Sequence, residues 1–350
     1  AAPTVSAAER QRMTHPTPLK FLMPGWFALV MGYSGWSLAW HRAAPLFGGA
    51  AETVSAVLGV LAAALLVVLL FASVLRAWRY PEALLEDLKH PVRHAFVAAA
   101  PVSTMLVATV GIALMGVSPL WETLWWVGSV AQLVATWWVL GRWLAPVAAP
   151  APGTPPAVMW PSITPVLFIP VVGNVVAPLA GVALGHEVWS VMQLAIGVFF
   201  WPVVMALLVA RRVAHSHLPD RILPSWFISL APPSVIGLAL MQWDVPLMWV
   251  QAVWGIAAFV LVWLLPLFKR ILTQPFAVPF WALSFPIAAF TSLTLRLAHA
   301  MAGQPGSTVM QGLAVLLLAV TSVVLVWLSL STVRGLRNGS MLAPEIHPTP

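Results

Sequence analysis

The sequence predicts an all-α polytopic membrane protein: ten transmembrane helices form five hairpins, with five kinked inner helices around a central path and five outer helices. Three observations lead there. The 350 residues are 61% hydrophobic and only 8% charged, with a mean hydropathy of +0.92, whereas roughly a quarter of a soluble domain is charged. Ten apolar stretches each approach the ~20 residues that a helix needs to cross a bilayer core. The 32 prolines are spread unevenly among those stretches.

In chain order the segments cover 19–40, 51–78, 95–117, 121–144, 160–184, 187–211, 222–242, 246–269, 276–302 and 307–334. The division between the fifth and sixth rests on Gly185, His186 and Glu187. Odd-numbered segments carry Pro24, Pro101, Pro170, the pair Pro232 and Pro233, and Pro286, while the second, fourth and tenth have no proline in their middles. Proline removes a backbone donor and pushes away the carbonyl four residues earlier, so a kink at membrane depth belongs beside protein or a water-filled cavity. The odd segments are therefore expected to line the path. The second segment is almost pure Ala, Val and Leu from Val57 to Val74 and the tenth contains LAVLLLAV, surfaces suited to lipid. Pro202 and Pro266, in the sixth and eighth, weaken this contrast without reversing it.

A two-helix unit returns the chain to its starting side. Hairpins beginning near 19, 95, 160, 222 and 276 thus share one orientation, and their symmetry axis lies along the membrane normal. Five such units can close into a ring.

Basic residues fix the sidedness, because cytoplasmic loops collect Lys and Arg. With the N-terminus inside, 15 of the 17 basic residues fall on the cytoplasmic side, and only Arg42 and Arg296 fall outside. The net charge of +7 is thereby explained without nucleic acid. The first segment is too long for a signal-peptide core and is expected to be retained. Residues 1–17 and 337–350 read as cytoplasmic tails flanking a membrane domain over 18–336, and 145–157 as an extended linker. The stretch 79–90 reads as a short interfacial amphipathic helix, with Leu84, Leu85 and Leu88 on one face and Glu82, Glu86 and Asp87 largely elsewhere.

Chemistry-bearing residues are sparse at membrane depth. Proton-coupled carriers and cation pumps place Asp, Glu, His or Lys there. Here Glu52, Glu122, Glu187 and Asp244 sit at predicted outer ends, with Arg296 and His299 toward the outer end of the ninth segment. A neutral, partly hydroxylated path fits a passive conduit. On the ninth segment Phe285 lies near Ala282, Ala288, Ala289 and Ser292, one large ring among small neighbours; such a ring can plug a narrow path, or simply pack. Asn174, in PVVGN, is either a polar contact for an ion, a brace for the bend after Pro170, or an ordinary interhelical bond. Gly173, Ala177, Gly181 and Gly185 favour close packing over a bulky cofactor, and no cofactor is expected. His90 with His94, and His215 with His217, lack a convincing third ligand and read as surface histidines, so no metal is expected. With no cysteine there is no disulfide, thiolate site or cysteine nucleophile. No phosphate-binding loop, nucleophile elbow or zinc-protease helix supports an enzyme.

These features together resemble the tellurite-resistance and dicarboxylate transporter family, which includes plant slow anion channels, fungal malate carriers and sulfite exporters. The resembling stretches are PGWFALVMGYSG (24–35), HPVRHAF (90–96), PVVGN (170–174), LAPPSVIGLAL (230–240) and FWALSFPIAAF (280–290), in the family's order over about residues 17–335. The resemblance implies a homotrimer in which every subunit has its own pore, occluded by an aromatic residue of the ninth helix. The matching position is Phe285; because Pro286 follows it directly, Phe290 is the alternative occluding ring. Long regulatory tails like those of the plant members are missing.

The expected function is a bacterial inner-membrane channel or uniporter for small inorganic or organic anions, sitting in the lipid bilayer. The alternative is a proton-coupled carrier or exporter of dicarboxylates, sulfite or tellurite-type oxyanions. A membrane scaffold without a path is the third reading.

Overall fold

The computed structural model describes residues 17–144, 160–215, 217–243 and 245–342. The expected tails, apart from Thr17 and 337–342, the linker over 145–157 and Asp244 lie outside those residues. Among the described residues every regular element is helical. Eight helices are long and apolar enough to cross a membrane: Gly49–Arg79, Arg93–Met115, Pro119–Leu144, Glu187–Ala214, Asp220–Leu240, Leu247–Leu264, Val278–Ala300 and Ser307–Arg337. They match the second to fourth and sixth to tenth expected segments. The first is the shorter helix Phe27–Arg42, entered through a 3-10 turn at Pro24–Trp26, and the fifth is the broken apolar helix Pro165–Gly181. Between the fifth and sixth the chain turns at Gly185, whose φ of 81° lies in the region open to glycine.

Burial separates the segments into two layers. In the third, seventh and ninth, 67%, 83% and 89% of the most apolar stretch is buried, against 33%, 39%, 28%, 22% and 33% in the second, fourth, sixth, eighth and tenth. The exposed faces of the even helices carry Val60, Phe71, Trp137, Phe199, Phe259 and Val323, a surface that only lipid or another protein would cover. Each odd segment packs on its even successor. The odd segments also pack on one another in order, and the ninth closes back on the first.

The prolines mark a recurring change of helix type rather than a bend in mid-helix. The third, seventh and ninth segments start as 3-10 helices (Arg93–Ala98, Asp220–Leu230, Val278–Leu283) and become α-helical at Ala99, Ala231 and Ser284. Pro101, the pair Pro232 and Pro233, and Pro286 fall in the first turn of those α-helices. There a missing N–H costs little, because the first amides of an α-helix lack carbonyl partners within it. Pro170 is the exception: it sits within a π-helical turn, Phe168–Val172, between two 3-10 stretches.

The short helix Pro81–Lys89 forms as expected, but its buried face differs. Leu85 is exposed, whereas Asp87 is 1% exposed. Its carboxylate lies 2.7 Å from Arg76 and 2.9 Å from Arg93, so two cations overrule the leucine face. His94 is likewise buried rather than on the surface, its Nδ1 2.9 Å from the His90 carbonyl and its ring edge-on to Trp138.

Basic side chains gather at one end of the bundle. Arg76 donates to the Lys20 carbonyl, Arg142 to that of Leu88, and Arg211 to those of Trp160 and Ile163, while Arg270 pairs with Asp220. Each contact ties the end of an even helix to the start of an odd one or to the short helix beside it. Arg42, in the last turn of the first helix, and Arg296, just over a turn from the end of the ninth, lie at the opposite end.

Candidate functional site: two cavities on the ring axis

Polar groups on the odd helices are turned toward the even ones. Trp36 and Trp40 donate to Ser322, Tyr33 pairs with Ser329, Trp281 donates to Thr332, and Thr291 pairs with Thr321, all on the tenth helix. The break at Pro170 is treated the same way. Gln132 Nε2 donates to the carbonyls of Ile169 (2.9 Å) and Pro170 (3.2 Å), and Thr136 Oγ1 donates to that of Pro170 (2.7 Å). Asn174 joins this seam, donating to Thr136 Oγ1 at 2.8 Å and accepting from Gln193 at 3.1 Å. It is fully buried, bonds to both neighbouring outer helices and lines neither cavity described below. The Ile169 and Pro170 carbonyls at this break are thus met by outer-layer side chains.

The larger space left on the axis is apolar. A cavity of about 60 Å³ is lined from all five odd segments, among others by Met31, Phe96, Val172, Ile228, Val278 and Phe285. Pro232 and Pro286 are among its walls; Pro24, Pro101, Pro170 and Pro233 are not. A second, smaller space of about 10 Å³ lies toward the end bearing Arg42, again touching all five odd segments through Gly35, Leu38, Leu106, Leu179, Leu238 and Ser292. Neither lining contains Asp, Glu or His.

Phe285 is the residue common to both cavities. It is 5% exposed and stands in the first turn of the ninth helix, where the change from 3-10 to α geometry aims it inward. The small residues around it matter: a Cβ at Gly35 would come within 3.1 Å of the Phe285 ring and 3.0 Å of Ala288. Gly35 therefore allows the first helix to approach the ring. Phe290 points elsewhere, stacked on Trp254 of the eighth helix with ring centroids 5.9 Å apart.

Two polar side chains border the smaller space, and one of them, Ser292, is expected from the sequence as a pore-lining residue. Ser292 is 2% exposed and its Oγ has no partner, and Nε and Nη1 of Arg42 are buried without partners. Arg42 stood out in the sequence only as an exception to the charge bias.

Residues 22–333 match the voltage-dependent anion channel (SLAC1) family. The chain belongs to that family. A tellurite resistance protein TehA homolog from Haemophilus influenzae is 28% identical over 335 residues, 93% of this chain and 94% of that one. The S-type anion channel SLAH2 of Arabidopsis thaliana is 24% identical over 321 residues, 87% of this chain but 58% of the plant protein. An uncharacterized transporter of Methanocaldococcus jannaschii is 26% identical over 301 residues, 78% of this chain and 83% of the archaeal one. This SLAC1-family chain is a multi-pass membrane protein of transport rather than of catalysis.

Proposed function

We propose that the protein is an anion channel or uniporter whose conduction path follows the axis of the odd-helix ring within each protomer and is closed by the Phe285 side chain. The observation that carries this reading is the place of Phe285 as the shared wall of two cavities, each lined by all five odd segments. A narrow path with carbon-rich walls excludes water until its largest side chain turns aside, and filling then permits ions. On this reading the short first and fifth segments also cross the bilayer. They need not match its full thickness, because neighbouring helices rather than lipid cover them.

Family membership and the relatives named as anion channels support an anion as the permeant species. The clustering of Arg and Lys at one end of the bundle supports cytoplasmic termini; on this reading the protein sits in the inner membrane with Arg42 and Arg296 at its outer mouth. An interior-negative potential supplies about 2.3 kcal/mol per charge per 100 mV, which drives anions outward unless the inward gradient is larger. The exposed apolar even helices and the family resemblance support a homotrimer with one path per subunit. A proton-coupled carrier of dicarboxylates or tellurite-type oxyanions would place a protonatable group on the path; neither cavity offers an Asp, Glu or His.

Reconstituted liposomes decide between the two. Anion flux that follows the clamped voltage and leaves a pH-sensitive dye unmoved is the expected result. Flux that moves the dye against a clamped voltage would overturn the channel reading.

A further inference from the structure

We propose that Arg42 and Ser292 form a binding site for one small monovalent inorganic anion of halide size, directly beyond the Phe285 ring. The site deepens the channel reading and rests on it for its role in permeation. The geometry comes from three facts. The two residues line the same small cavity, with Phe285 as its floor and Leu106, Leu179 and Leu238 in its wall. Two guanidinium nitrogens of Arg42 and the hydroxyl of Ser292 are buried there with no partner. Among the described residues no carboxylate forms an ion pair with Arg42; the resolved pairs lie elsewhere.

A buried charge without a counter-ion is costly, and buried cations are ordinarily paired. Here the chain supplies the opposite of a partner, because the positive charge of Arg296 also bears on Arg42. Arg296 itself donates to the Met241 carbonyl, at 3.0 Å. An anion in the small cavity would accept from Arg42 and from Ser292 Oγ at once, replacing part of its hydration with charge-assisted bonds. The size of the space sets the class. At about 10 Å³ it lies at the lower bound for a single water-sized species, on the order of 10–15 Å³, so a halide, somewhat larger than water, would enter with a small outward shift of the leucine walls, and a dicarboxylate has no room. The three leucines offer no second polar anchor.

Bromide is the probe. Crystals of the full chain grown in sodium bromide should show an anomalous peak between Arg42 and Ser292 that disappears in Arg42→Gln and persists in Arg42→Lys. In bilayers carrying Phe285→Ala, adding Arg42→Gln should raise the half-saturating chloride concentration about tenfold, and adding Ser292→Ala about threefold, as expected for one charged and one neutral donor. No bromide at that position, or half-saturation unchanged by Arg42→Gln in a conducting protein, would overturn the site while leaving the channel intact. A bromide peak there with no anion current through Phe285→Ala would uphold the site and remove the channel reading instead.

Discussion

Changing Asp87 to Asn tests how the basic end of the bundle is held together. The carboxylate is 1% exposed and holds Arg76 at 2.7 Å and Arg93 at 2.9 Å; the Arg76 side chain is itself only 6% exposed. Asn keeps the shape and removes the charge, leaving Arg76 with carbonyl acceptors alone, at Lys20 (3.0 Å) and Ala83 (3.4 Å). Breaking a buried ion pair from one side costs about 3–5 kcal/mol, and the surviving carbonyl bonds place this case near ~3 kcal/mol. That is a hundredfold or so in the ratio of folded to unfolded protein. Equilibrium unfolding by SDS in mixed micelles measures it. Replacing all three residues together by apolar side chains of similar size should recover most of the loss, since no charge is then stranded. A loss under about 1 kcal/mol for Asp87→Asn, or a triple variant as unstable as the single one, would refute the reasoning.

Two further outcomes separate packing from gating. Gln132→Leu removes the side-chain donor at the break in the fifth segment, while the Ile169 carbonyl keeps the Gly173 N–H and that of Pro170 keeps Thr136, and should cost about 1 kcal/mol in the same titration, with anion selectivity unaltered in bilayer recordings. Phe290→Ala removes a fully buried ring stacked on Trp254 and should cost about 3–5 kcal/mol without raising anion current; a current as large as that of Phe285→Ala would move the gate to Phe290.

The all-helical class, the places of the eight long apolar helices and their alternating burial were legible because they depend on length, composition and charge, which need no knowledge of partners. The prolines pointed to the correct layer for a reason only partly right: they sit where 3-10 helix becomes α-helix, a distinction that apolar periodicity does not encode. Asp87 misled because a carboxylate on a short surface helix ordinarily faces water; its burial follows from two arginines that the tertiary fold brings to it. Gln132 and Gln193 went unnoticed for a similar reason. Each is a lone amide on a helix whose other residues suit lipid, and its value appears only when the opposite helix presents broken backbone or Asn174. Phe285 and Ser292 stand out on the ninth segment as a ring and a hydroxyl among small residues, and the resemblance in WALSFP adds the gating expectation, while the unpaired nitrogens of Arg42 required the cavity to be seen.

Current through voltage-clamped bilayers containing Phe285→Ala most directly tests the central claim. The account predicts a large rise in conductance over the parent protein, with a reversal potential that follows the anion gradient. Conductance unchanged in a well-folded Phe285→Ala protein, or a reversal potential set by protons or cations, would contradict it.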